Sequence, residues 1–141
     1  MVKKSTIIFG LSALFLLIFG VLYVIWPLAP YHEDIIGMNS TDLVSSSPDI
    51  AYLLLTGVNV TGLTFIGMGI LMISMGFLAW QSRIAWYSIL LAIVFFALPL
   101  SYIVAETGGP YLMIIIVILV QVIGLILAFF EREERLFTNG K

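Results

Sequence analysis

Residues 57–80 read GVNVTGLTFIGMGILMISMGFLAW, 24 residues without a charge. Within them Gly62, Gly69 and Gly76 recur every seven residues. Seven residues is close to two turns of α-helix, so the three glycines share one face and form a groove free of side chains. In lipid, such a groove is where a second helix approaches closely. The stretch predicts a spanning helix at the packing centre of the molecule.

Composition carries that reading to the rest of the chain. The 141 residues are 62% hydrophobic and 10% charged, with a mean hydropathy of +1.17. A soluble domain carries roughly 25% charged residues. A chain this short cannot hide so much apolar surface from water, so lipid is the expected solvent. There is no cysteine, which removes disulfides, thiol chemistry, thiolate metal sites and iron–sulfur ligation. A single histidine excludes a bis-histidine haem held by this chain alone. The net charge of −2 gives no reason to expect a nucleic-acid partner.

Outward from 57–80, three more uncharged runs stand out. Thr6–Trp26 is 21 residues long, enough to span. It ends at Trp26-Pro27-Leu28-Ala29-Pro30, a poor signal-peptide cleavage site, so a retained first helix is expected. Ile50–Trp80 has 31 uncharged residues, about 46 Å as a helix against a hydrocarbon core of about 30 Å. The span is therefore placed at 57–80, with a bend expected at Gly57 and with 50–56 at the interface or beneath the preceding loop. Gln81-Ser82-Arg83 is a turn too short for anything but antiparallel neighbours. Residues 84–104 form the third span, kinked by Pro99, and 110–130 the fourth. Residues 27–49 make a polar loop, with Ser47-Pro48-Asp49 as a helix start. Residues 131–141 form a charged tail in which Glu131 and Arg135 stand four apart, in the order that favours a continued helix. The expected class is all-α: a polytopic integral membrane protein with four transmembrane helices in an antiparallel bundle, as one domain.

Charge sets the orientation. With four spans, Lys3, Lys4, Arg83, Arg132, Arg135 and Lys141, all six cations, fall on one side. Glu33, Asp34, Asp42, Asp49 and Glu106 fall on the other. The positive-inside rule then puts both termini in the cytoplasm of a cell membrane. The interfacial aromatics agree: Trp80, Trp86 and Tyr87 on the cation side, and Tyr23, Trp26, Tyr31, Tyr52, Tyr102 and Tyr111 on the other.

No span contains an ionisable residue, which argues against a proton-coupled carrier, a pump or a voltage sensor. Uncharged polar residues remain. Asn59, Thr61, Thr64 and Gln121 either line a pocket for a quinone, a lipid or a small neutral solute, or hydrogen-bond between helices; the packing reading is the stronger. His32, Glu33 and Asp34, with Glu106, form an acidic cluster on the outer face. Adjacent residues rarely converge on one ion, so a solvated loop is expected and no metal site. Asn39-Ser40-Thr41 fits the N-glycosylation pattern. Small residues Gly10, Ala13 and Gly20 on the first helix, Gly62, Gly69 and Gly76 on the second, and Gly124 and Ala128 on the fourth are expected packing faces. The last pair is free to meet a partner chain.

The run through the second and third spans, carried by Gly62, Gly69, Gly76, Arg83 and Ala85, resembles the DoxX-like group of small four-helix membrane proteins. Lys3 and Lys4 stand where that group often has an arginine. The resemblance implies a four-helix membrane fold and a tie to quinone-reducing complexes, and it carries over no catalytic residue. Together these readings point to a non-catalytic accessory or stabilising subunit without a cofactor, embedded in the bilayer and packed against other membrane subunits or copies of itself. The alternative is a quinone-, lipid- or solute-binding protein in a redox-accessory role.

Overall fold

A computed structural model describes residues 2–26, 33–34, 36–106 and 111–139, with side chains as far as 136. Among them every regular element is helical. The elements are α1 (Lys4–Ile25), α2 (Ser40–Ser46), α3 (Pro48–Gly76), α4 (Arg83–Ala92), a π-helical turn (Ile93–Ala97), α5 (Leu98–Glu106) and α6 (Tyr111–Asn139). Four helical stretches are long and apolar enough to cross a membrane: Lys4–Ile25, Pro48–Gly76, Arg83–Glu106 and Tyr111–Leu136. The chain divides into two compact units, Leu16–Gly67 and the remainder, Met1–Phe15 with Met68–Lys141.

In the Leu16–Gly67 unit, α1 and α3 touch backbone to backbone. A Cβ on Gly20 would meet the Gly62 carbonyl oxygen at 2.7 Å, and one on Gly62 would meet that of Gly20 at 2.8 Å. Only glycine permits this approach. Beside it, Tyr23 and Phe65 meet edge to face at 5.8 Å. The stretch expected to be loop contains α2. Asn39 caps it: its Oδ1 accepts the Asp42 N–H at 2.9 Å and its Nδ2 donates to the Asp42 carboxylate at 2.8 Å. Leu43 anchors α2 on Ala51, with Ile36, Leu54 and Leu55 around it. The first turns of α3 therefore pack beneath the loop helix. Gly37 precedes α2 at φ +74°, and its N–H closes a turn on the Glu33 carbonyl. A side chain there would be strained.

Two boundaries differ from expectation. Helix α3 is unbroken through Gly57 and ends at Gly76, not Trp80; residues 77–81 form turns. At 29 residues it is about 43 Å long. The third span meets its proline by widening. The Leu98 N–H reaches back to the Ile93 carbonyl, a five-residue step, one position ahead of Pro99. Proline lacks the N–H for the carbonyl four residues back and its ring crowds it, and a π-turn relieves that conflict without breaking the helix.

In the other unit, Phe9 is the central knob. It is fully buried between glycines of two helices. A Cβ on Gly76 of α3 would meet Phe9 Cβ at 2.5 Å, and a Cβ on Gly124 of α6 would meet the far edge of the ring at 2.8–2.9 Å. Met72, Ile89, Leu125 and Ala128 are also buried in this unit.

Candidate functional site

The polar groups buried in the larger unit lie along one seam between α1 and α6. Ser5, Phe9 and Ser12 recur at steps of four and three, which places them on one helical face. Their partners run the opposite way along α6. The Ser5 hydroxyl donates to Glu131 Oε2 at 2.5 Å, Phe9 seats on Gly124, and Gln121 Nε2 donates to Ser12 Oγ at 3.0 Å. Ser5, Ser12 and Gln121 are all buried.

Glu131 also closes the start of α1. Its Oε1 accepts the Lys4 N–H at 2.8 Å and the Ser5 N–H at 3.4 Å. The first N–H groups of a helix have no partner within it and carry its positive pole. A carboxylate from another helix satisfies both needs. Above the seam, the Trp86 indole N–H donates to the Leu125 carbonyl at 2.8 Å, tying α4 to α6.

Gln121 retains one unmet acceptor: its Oε1 is buried without a hydrogen-bond partner. An amide and a hydroxyl at this place can orient a neutral donor, but neither can exchange a proton near neutral pH. In the Leu16–Gly67 unit, Thr61 and Thr64 bond back to the carbonyls of Gly57 and Val60 at 3.0 and 2.8 Å. Both hydroxyls are thus used within α3. Asn59 Oδ1, like Gln121 Oε1, is buried and unpartnered.

His32 lies outside the described residues. Asp34 and Glu106 are exposed and Glu33 is half-buried. Among the described residues no three acids, histidines or cysteines gather as metal ligands would. Gly10 is exposed, and a Cβ there would meet nothing within 4 Å. The face of α1 that packs is set by Ser5, Phe9, Ser12, Ala13, Leu16 and Gly20. Of the small residues expected there, Ala13 and Gly20 lie on this face and Gly10 does not. Ala13, Gly20, Gly62, Gly69, Gly76 and Ala128 are buried. Gly124 is buried too, but it is not open to a partner chain, because Phe9 and Ile8 of α1 occupy it. The sequence reading missed Ser5 and Ser12. Their spacing with Phe9 was visible, but nothing in α1 alone marked which face would meet α6.

No protein-family model matches the chain, and no curated protein or solved structure matches it.

Proposed function

We propose that this chain is an integral membrane protein of four antiparallel spans, with both termini cytoplasmic, acting as a non-catalytic accessory or stabilising subunit. The observation that carries the reading is the division of its polar and apolar groups. Hydroxyls on the spans fold back on their own helices at Thr61, Thr64, Ser74 and Ser88, and Ser12 is bonded to Gln121. Large apolar side chains, among them Leu63, Ile70, Phe95, Ile116 and Phe130, stand outward on every long helix. Water would penalise that surface, whereas lipid or a partner helix welcomes it. The opposed order of the α1–α6 contacts supports antiparallel packing, as does the order within α1–α3, where Gly20 meets Ile66 and Val24 meets Gly62. All six cations on one side support the orientation.

Purification in mild detergent tests the role. A stable larger complex, lost on deletion of this chain, is the expected result. A monodisperse species carrying bound lipid or quinol overturns it in favour of a ligand-binding protein. That second reading draws on the unpartnered Gln121 Oε1 and Asn59 Oδ1, which as acceptors would take a hydroxyl donor. If Gln121→Leu and Asn59→Leu leave assembly intact but abolish an activity of the complex, the ligand reading replaces the accessory one.

A further inference from the structure

Within the Leu16–Gly67 unit, α3 reaches farther than α1. Gly20 meets Ile66 and Val24 meets Gly62, so Ile25, the last residue of α1, stands at the level of Val60. Residues 48–59 of α3 lie beyond it, about 18 Å of helix. In the four-span arrangement proposed above, α1 with its 22 residues is about 33 Å long and fills a hydrocarbon core of about 30 Å. A headgroup layer adds about 5–8 Å on each side. Leu53, about 10 Å past the end of α1, then stands in water.

One side of this stem is closed by α2, where Leu43 rests on Ala51 with Leu54 and Leu55 beside it. The other side is open. Ile50, Leu53 and Gly57 follow at steps of three and four, on one helical face. Ile50 is 58% and Leu53 71% exposed. Gly57 is exposed too, and a Cβ there would meet nothing within 4 Å, so a neighbouring backbone can come close. Asp49, also exposed, stands at the head of the row.

Charge decides what can cover this face. No lysine or arginine occurs between Lys4 and Arg83, whereas Glu33, Asp34, Asp42 and Asp49 all belong to this unit. A second copy in the same membrane, related by a two-fold axis, would set Asp49 against Asp49. Like charges so placed repel, and a cation opposite them attracts. Lipid phosphates are repelled for the same reason.

We propose that the open face of the α3 stem, formed by Asp49, Ile50, Leu53 and Gly57, docks another subunit of the membrane complex, through a segment that pairs apolar side chains with a lysine or arginine. This presupposes the accessory-subunit role above and gives that role a place of contact.

The chain has no cysteine, so Leu53→Cys introduces a single thiol whose reaction with a hydrophilic maleimide can be timed. The expected result is a rate at least about tenfold slower in the complex isolated in mild detergent than in the chain purified alone. Ser45→Cys, exposed on α2, should react equally fast in both. In competition with the unaltered chain for the complex, Leu53→Ser should be weaker by about tenfold or more, and Asp49→Lys by about fivefold. Leu53→Ser should leave the melting of the free chain unchanged, and it decides the matter if Asp49→Lys disturbs the start of α3. Equal thiol rates in the two states, or undiminished competition by Leu53→Ser, overturn the proposal. Oxidative linkage of two Leu53→Cys chains within the complex overturns it in favour of a second copy, and a thiol as slow alone as in the complex overturns it in favour of lipid. Absence of any complex defeats the accessory-subunit reading itself, whereas a complex in which the stem still reacts defeats only this surface.

Discussion

Glycine pairs serve opposite purposes in the two units. In Leu16–Gly67, Gly20 and Gly62 make room for each other's backbone. In the larger unit, Gly76 and Gly124 make room for a ring, Phe9. The difference decides what can be repaired. A backbone carbonyl in the way of a new methyl group can move only if the helices separate. A ring in the way can tilt or be replaced.

The largest effect should come from the backbone pair. Gly20→Ala or Gly62→Ala should destabilise by up to about 3 kcal/mol, as overpacking does, measured by denaturant titration in mixed micelles. No single side-chain change should rescue it. A loss under half of that would show that the two helices slide apart easily and would erase the contrast.

The ring pair comes next and can be split. Gly76→Ala confronts Phe9 Cβ, whereas Gly124→Ala confronts the ring edge first and Ile8 Cγ2 at 3.2 Å, so each should lose about 1–3 kcal/mol, with the first worse. Phe9→Leu keeps Cβ and removes the ring edge. It should therefore couple favourably with Gly124→Ala, by about 1 kcal/mol in a double-mutant cycle, and should not couple with Gly76→Ala. Equal rescue of both would refute the placement of the ring.

Smaller still is the polar bond of the seam. Ser12→Ala and Gln121→Leu should each cost about 0.6–2 kcal/mol, the range for a bond between helices in lipid, and the double variant should cost no more than the worse single one. Additive losses would mean that the two side chains do not meet.

At the bottom, Gly10→Ala and Gly67→Ala face open space. Both should be neutral or stabilising by less than about 1 kcal/mol, because alanine restricts the unfolded chain more than glycine does. A clear loss at Gly10, in the same denaturant titration, would bring a partner helix against that face.

The four apolar helices were legible because each is a run of about 20 apolar residues, long enough to span, with charges confined to its ends. The seven-residue glycine spacing likewise marked a face of α3 without reference to any other helix. The candidate seam was only half legible. Gln121 drew attention as a polar residue amid an apolar run, but Ser5 and Ser12 looked ordinary, and Glu131 read as a local partner for Arg135 instead of a cap for α1. The π-turn before Pro99 and helix α2 were likewise hidden. The first depends on how a continuous helix accommodates one missing N–H, the second on whether Leu43 finds Ala51 to rest against.

Sequence by itself therefore determined the number of long apolar helices and the distribution of charge along the chain, since these follow from hydropathy summed residue by residue. Only the tertiary structure decided which glycines meet backbone, which receive Phe9, and which, like Gly10 and Gly67, meet nothing. A glycine is the absence of a side chain, and what fills that absence belongs to another helix whose rotation no local pattern fixes.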